Sequence, residues 1–327
     1  MTGVLESRTR ALAALRAVHA APPAHVPTHV AGVSRRIWAE ARQRFHVPAW
    51  RLVGRHVAAD GTTKYAVAFG AASDDQTVET VRIPGRMRDT VCVSSQVGCT
   101  RACTFCATAR IGFRRNLTAD EIVLQYLLAA HEAPAAPRNV VFMGMGEPMD
   151  NLDEVLTAIA VLTGAPAPSL SAEHITVSTS GIGPGMERFL RESDAGFALS
   201  LNGTTDGQRA TIMPQTTRWP LATLFRIMRA DAAVRPRRRY FMEYVMLAGL
   251  NDSDADADRL PALLAGLPAH VNLIPHNPFP GSALVASPRD TVLRFRDRLH
   301  ASGIRALVRA PRGQDIAAAC GQLARRL

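Results

Sequence analysis

Cys99-Thr100-Arg101-Ala102-Cys103-Thr104-Phe105-Cys106 places three of the chain's five cysteines within eight residues. Thiolates are soft anionic ligands, so a C-x-x-x-C-x-x-C run selects zinc, copper or iron-sulfur centres over magnesium or calcium. Structural zinc closes with four ligands, and a cubane iron-sulfur cluster ordinarily takes four cysteines. Three local thiolates leave one iron position open, and an open iron implies chemistry. On spacing alone, zinc completed by a histidine and buried structural thiols remain alternatives.

Downstream of this run, apolar strand-like segments alternate with helical ones. Strands are expected at 139–143, 175–178, 197–201, 240–247, 271–274 and 304–308, and helices at 119–131, 152–162, 219–230, 255–267 and 289–301. Such alternation specifies parallel strands joined by crossover helices. The count falls short of eight units, so the expectation is a partial β/α barrel of six to seven units, with ligand sites at the carboxyl ends of its strands.

Upstream, Val4, Leu5, Leu12, Leu15 and Val18 give a helix over 3–20 that Pro22-Pro23 stops, and Ser34 caps a second helix over 34–45. Three strand-like runs follow at 51–57, 64–69 and 77–83, with Asp60-Gly61 as a hairpin turn. Residues 1–88 therefore read as a small helical and β-ribbon accessory region, and 89–327 as the barrel. The acidic run Asn251 to Asp256 lacks the glycine and closing glutamate of a calcium loop and reads as a helix cap.

At 327 residues the chain buries a substantial core without staples. No apolar run approaches the roughly 20 residues that span a bilayer. The first residues lack the basic-then-apolar order of a signal peptide, so a cytoplasmic protein with no membrane association is expected. Few cysteines, three of them clustered, argue for metal or catalytic use over a disulfide framework. The net charge of +10, from 38 Lys plus Arg against 28 Asp plus Glu, favours a polyanionic partner, although arginine-rich composition alone produces the same number. Arg101, Arg110, Arg114, Arg115 and the run Arg235-Pro236-Arg237-Arg238-Arg239 are candidates for phosphate contacts.

The segment Val91-Cys92-Val93-Ser94-Ser95-Gln96-Val97-Gly98-Cys99, continued by Ala107 to Thr118, closely resembles the RlmN/Cfr family of radical S-adenosylmethionine enzymes, which methylate adenine in RNA. The likeness extends from about Arg51 to the C-terminus. It implies a partial (β/α)6-type radical-SAM barrel in which Cys99, Cys103 and Cys106 hold a [4Fe-4S] cluster and S-adenosyl-L-methionine occupies the fourth iron. In Gly144-Met145-Gly146-Glu147-Pro148, the glycines allow close approach to the backbone and the carboxylate accepts from an amine. The resemblance gives Gly146 and Glu147 the cofactor's amino group. Ser178, Ser200, Leu201 and Asn202, at two further strand ends, then hold ribose or carboxylate oxygens, and Asn277 in Pro275-His276-Asn277-Pro278 contacts the cofactor.

Two positions depart from the family pattern: Asn202 stands where histidine is usual, and His276 where an aromatic is. The N-terminal helical end is also short for the family.

The remaining cysteines, Cys92 and Cys320, taken singly, read as small buried hydrophobes. The resemblance makes them the methyl-carrying and resolving pair, with Cys320 on a helix near the C-terminus. One S-adenosylmethionine methylates Cys320, and the 5'-deoxyadenosyl radical from a second takes hydrogen from that methyl. The carbon radical adds to C2 or C8 of adenine, and Cys92 attacks the Cys320 sulfur to release the base. Glu79 matches the family's proton acceptor. The expected partners are RNA, 23S rRNA first and tRNA second, and an electron donor such as flavodoxin; a monomer is expected. A radical S-adenosylmethionine enzyme acting on a small molecule or peptide is the alternative, and a zinc-stabilised RNA-binding module the third.

Overall fold

The computed structural model describes residues 5, 8–23, 25–44, 48–70, 76–165 and 168–324. Val4, given above to the first helix, and residue 45, the expected end of the second, lie outside them.

The parallel strands are β4 (Thr90–Cys92), β7 (Asn139–Phe142), β8 (Ile175–Thr179), β9 (Gly196–Ser200), β10 (Tyr240–Met246), β11 (Ala269–Pro275) and β12 (Ala306–Val308), hydrogen-bonded in that order. Helices make the crossovers: α3 (Ala119–Glu132), α4 (Leu152–Thr163), α5 (Gly183–Glu192), α6 (Asp206–Ile212) with α7 (Leu221–Val234), α8 (Asp254–Leu264) and α9 (Arg289–Ala301). This is the expected partial barrel. A short hairpin of β5 (Gln96–Val97) and β6 (Arg115–Asn116) brackets the cysteine run.

The ribbon extends this same sheet. β1 (Trp50–Val57), β2 (Thr63–Phe69) and β3 (Thr77–Ile83) run antiparallel, and β3 pairs with β4, so ten strands form one sheet. Tyr65, Val67, Phe69, Val78 and Val81 of the ribbon belong to the main core with Phe142, Val177, Phe197, Tyr244 and Leu273. The two N-terminal helices, α1 (Arg8–Ala20) and α2 (Arg35–Arg42), pack instead on a separate small core around Trp38, whose indole donates to Pro27 O. Residues 1–88 thus contain two kinds of packing.

Local chemistry explains most boundaries. Thr118 and Glu121 form a reciprocal capping box at the start of α3, and Ser253 and Asp256 do the same for α8, as the acidic run suggested. Gly61 turns the first hairpin at φ +80°. α5 escaped the sequence reading because it opens Gly-Pro-Gly, yet proline is tolerated in a first turn, and Met186, Phe189 and Leu190 supply the buried stripe. β4 escaped it through being three residues long.

Asp256 does more than cap. Burial alone would raise its carboxyl, but donors from Ser253, Gln208 and Thr204 outweigh burial and hold it below the usual carboxylate range. A depressed carboxyl contributes stability above its unfolded value, and that stability is lost as pH falls through the folded one. Asp256→Asn is expected to lose about 2 kcal/mol near neutrality. Between about pH 5 and 3 it should lose less than the native chain; urea unfolding across pH measures both.

Candidate active site

The carboxyl ends of β4 and β7 carry the chemistry, and they interlock. Ser95 and Gln96 both donate backbone N–H to Met145 O, and Gly144 N donates to Val93 O. A Cβ on Gly144 would meet Ser94 Oγ at 2.7 Å and Val93 O at 2.8 Å, and one on Gly146 would meet Gln96 N at 2.7 Å. The space that these glycines leave on that side is therefore filled by the neighbouring loop of the protein, rather than kept for a ligand. Gly146 adds φ +106°, a backbone region closed to most side chains.

From this platform the chain enters the cysteine loop. Gly98, at φ +78°, lets Cys99 N reach Gly112 O at 3.2 Å, Thr104 is bound to Ile212 O of α6, and Thr100 and Arg101 both donate to Asp150. No cysteine is in a disulfide. Burial pushes the Cys99 thiol up to about 12 and Cys103 well above its ordinary value, with the charges of Glu147 and the neighbouring thiols adding to both shifts. Thiols pushed up in this way by burial and by neighbouring negative charge become stable anions when a cation shares the site, and a metal centre would supply it. Among the described residues no three His, Cys, Asp or Glu side chains gather as a lone ion requires. What fits an iron-sulfur cluster is the donor chemistry, three cysteine sulfurs carried on one loop. Beside it, Ser95 Oγ is buried with no partner.

Glu147 is buried; Ser180 N and Oγ donate to one carboxylate oxygen at 2.8 and 2.7 Å, and Met149 N donates to the other at 3.1 Å. Burial raises its pKa and these donors oppose the rise. Ser178 and Ser200 face each other across β8 and β9, Oγ to Oγ 3.4 Å. Leu201 is fully buried in the core, its N–H donating to Glu243 O at 2.9 Å and its carbonyl accepting from Arg209 Nε at 3.0 Å. Asn202 sits at φ +50°, which asparagine tolerates, and spends its amide on Val245 N at 2.8 Å and on the Met213 sulfur. Its carboxamide is thus held by β10 and the loop after α6.

The second focus is a cavity of about 320 Å³ in the barrel interior, within the usual size of ligand sites. Cys92, Asn277 and Cys320 line it. Cys320 lies in a turn, not on a helix; the last regular element described is a 3-10 turn at Gln314–Ile316. Left-handed residues at Gly313, Ala317 and Gly321 break any helix there. The residue is exposed because its surface faces the cavity, while surrounding atoms and then the Glu243 charge push its thiol up. Cys92, fully enclosed, is pushed up by burial and then by Cys320.

The C-terminal segment is tied to the cysteine loop: Ala107 N donates to Gly321 O at 2.8 Å, and Thr108 Oγ1 to Leu323 O at 2.6 Å. Asn277 donates to Cys320 O at 3.1 Å and accepts from Gln314, so its amide serves this segment. His276 is buried, with Nε2 unpartnered, in a smaller cavity shared with Phe105 and Cys320. Glu79 is fully buried on β3, with Lys64 Nζ 2.8 Å away.

Sequence reasoning missed Glu243, which lines the cavity and accepts from Asn272 Nδ2 at 2.8 Å. A lone carboxylate in the apolar strand Tyr240-Phe241-Met242-Glu243-Tyr244-Val245-Met246 was the available signal. Of the phosphate-contact candidates, Arg235 and Arg238 do not serve: they bind carbonyls of Leu190 and Ser193 and precede β10, at the opposite end of the barrel. Arg101 and Arg115 are paired with Asp150 and Glu121, and Arg110 donates to Gly281 O over the Phe279 ring. Arg114 and Phe113 stand exposed beside the cysteine loop.

A partial barrel with three thiols on the loop after its first parallel strand defines a radical S-adenosylmethionine enzyme, and the model of the Radical SAM superfamily matches residues 93–260. The chain is 47% identical to the "Dual-specificity RNA methyltransferase RlmN" of Anaeromyxobacter dehalogenans, over 81% of this chain and 73% of that one. It is 42% identical to the protein of that name from Alkalilimnicola ehrlichii, over 89% and 81%. A crystal structure of a radical SAM methyltransferase from Sphaerobacter thermophilus superposes with a TM-score of 0.83 at 39% identity, covering 89% of this chain and 86% of that one. The chain belongs to the RlmN family of radical SAM methyltransferases.

Proposed function

We propose that this protein methylates an adenine of RNA, at C2 or C8, with Cys320 as methyl carrier and Cys92 as the thiol that releases the product. The observation that carries the reading is the shared cavity: the two cysteines outside the loop line one chamber, and the segment bearing Cys320 is hydrogen-bonded to the cluster loop. Cys99, Cys103 and Cys106 would hold a [4Fe-4S] cluster. Gly146, Glu147, Ser178, Ser200, Asn202 and Asn277, with the main chain of Leu201, would surround S-adenosyl-L-methionine. When bound, these groups supply a hydrogen-abstracting radical and exchange the single electrons that the reaction needs.

The chain's own residues do the rest. The thiols of Cys92 and Cys320 are both held above their ordinary values by burial, so each must lose its proton before reacting. Cys320 accepts the methyl group and, once the methyl carbon is joined to adenine, tethers the base inside the cavity. Glu79 accepts the proton displaced from the adenine carbon. Cys92 thiolate then forms an S–S bond to Cys320 as the S–C bond breaks, leaving the electron pair on the carbon, which takes up a proton to become the product methyl. The resulting disulfide is reduced by a donor such as flavodoxin or a thiol before the next turnover.

For RNA, 23S rRNA is the first candidate and tRNA the second. Phe113 offers a stacking face and Arg114 a phosphate contact beside the site, and residues 1–88 would extend that surface. Among the described residues no helix is long and apolar enough to cross a membrane.

The test is methylation of an rRNA fragment and a tRNA by the anaerobically reconstituted protein, with product mapping. Methyladenosine is expected from the native chain and none from Cys320→Ala. Equal product from both would overturn the reading.

A further inference from the structure

Among the described residues Glu243 is the only carboxylate that lines the barrel cavity, and it is 9% exposed. Asn272 is its register partner on β11, and Asn272 Nδ2 donates to Oε1 at 2.8 Å. That is the side chain's one hydrogen bond among the described residues, so Oε2 is left to the cavity. Burial pushes the carboxyl up, while Asn272 and then the Arg309 charge oppose the rise. Val141, Met143, Phe241 and Ile274 supply apolar wall around it. A buried acceptor in such a chamber without a donor costs free energy, which a ligand carrying the donor restores.

The surroundings define the ligand. Cys320 lines the same cavity, and after burial the Glu243 charge is the next largest influence on its thiol, so the carboxyl and the proposed methyl carrier face one space. Arg309, exposed just past the carboxyl end of β12, lines the cavity as well and puts a cation where it meets solvent. A cation at the mouth, apolar walls and a polar pair within match the phosphate, ring faces and polar edge of a nucleotide turned out of its stack. Adenine carries an amine at C6 with a ring acceptor on either side, N1 or N7. Glu243 Oε2 and the second N–H of the Asn272 amide offer the matching acceptor and donor. Guanine, with a carbonyl at C6, would set oxygen against oxygen. Held by the amine and N1, adenine presents C2 next along its edge; held by the amine and N7, it presents C8.

We infer that Glu243, with Asn272 beside it, binds the C6 amine of the target adenine and makes this chamber select adenine over guanine. The inference rests on the proposed methylation of RNA adenine. Of the residues given to the cofactor only Asn277 lines the chamber, which favours the base of the RNA over the adenine of S-adenosyl-L-methionine. Ser200, also given to the cofactor, is the register partner of Glu243 on β9. The cofactor's adenine is therefore the rival source of the same amine, and the experiment separates the two.

The probe is an RNA fragment in which the adenosine mapped as the methylated site is replaced by purine riboside, which lacks the amine and keeps both C2 and C8. The reconstituted native chain is expected to methylate it with kcat/KM about 10- to 100-fold below that for the unsubstituted fragment, the range for one hydrogen bond to a carboxylate. Glu243→Leu should lose a similar factor on the adenosine RNA and treat the two RNAs alike within about twofold, the scatter expected when no contact is shared. Glu243→Gln, whose carboxamide oxygen still accepts, should keep part of the preference. Equal treatment of the two RNAs by the native chain overturns the inference, and that comparison needs no variant to fold. A native-sized preference in Glu243→Leu overturns it too. If Glu243→Leu loses methyl loading of Cys320, read by intact-protein mass without RNA, by the same factor as turnover, the carboxylate serves the cofactor's adenine and the inference falls. A native chain that makes no methyladenosine on the unsubstituted fragment is a failure of the proposed function itself, seen before any variant is compared.

Discussion

In a Cys92→Ala protein, RNA is expected to remain covalently joined to Cys320 and to migrate with the chain through denaturing electrophoresis. The expectation follows from the cavity. Cys92 lies in β4, enclosed, and the thiol that shares its cavity and whose charge it senses is Cys320. The three loop cysteines are committed to metal in the proposed site, so among the five cysteines nothing replaces Cys92 as the attacking sulfur. Alanine at position 92 removes one buried atom and no hydrogen bond to a side chain, so the fold should tolerate it at a cost of about 1 kcal/mol. Treatment of the adduct with nuclease and mass spectrometry should place the nucleotide on Cys320. Release of methyladenosine at the native rate would show that the exchange between the two sulfurs is not the route.

Gly98→Ala is expected to empty the cluster site while leaving the barrel folded. A Cβ there would lie 1.7 Å from Gly112 O and 2.9 Å from its carbonyl carbon, both backbone atoms that cannot rotate away. The positive φ adds roughly 1–2 kcal/mol of strain for a side chain. Relief requires the β5–β6 hairpin to open, and that breaks the Cys99 N to Gly112 O bond which sets the first ligand. Gly112→Ala is the matched control: its φ is +75°, yet nothing lies within 4 Å of the added carbon. Iron and sulfide content per chain after anaerobic reconstitution should drop sharply in Gly98→Ala and little in Gly112→Ala. Equal retention in both would show that the loop bends freely.

The barrel was legible because its parallel strands are continuous apolar runs and its crossover helices carry buried stripes at helical spacing; Phe197 to Ser200 and Leu152 to Leu162 are examples. The ribbon strands were legible too, but their membership of the barrel sheet was not. That depends on the pairing of β3 with a three-residue strand, and no local pattern announces a partner.

The cysteines were visible by spacing and by family likeness. What spacing hides is which way a polar group points. Asn277 and Asn202 occupy strand ends as expected, yet both amides are spent on the protein's own chain, and only the fold shows it. Arg235 and Arg238 were misread for a related reason: a basic run reads as a surface until topology puts it at the far end of the strand and carbonyls of the last turn of α5 and just beyond it take these two guanidinium groups. Glu243 and Lys64 were hidden inside strands, where a single charge among apolar neighbours is the only sign of a functional interior.

The Cys320 turn is pinned on one side by Ala107 and Thr108 and on the other by the Lys64–Glu79 pair, and its backbone turns through left-handed residues at Ala317 and Gly321. A methyl group carried on Cys320, as proposed, would travel by rotation about a few bonds, unlike the long swinging arms of biotin or lipoyl carriers. The anchors that would shorten that journey would also fix its direction, so that in the proposed reaction donor and acceptor are served from one berth without the carrier leaving the chamber.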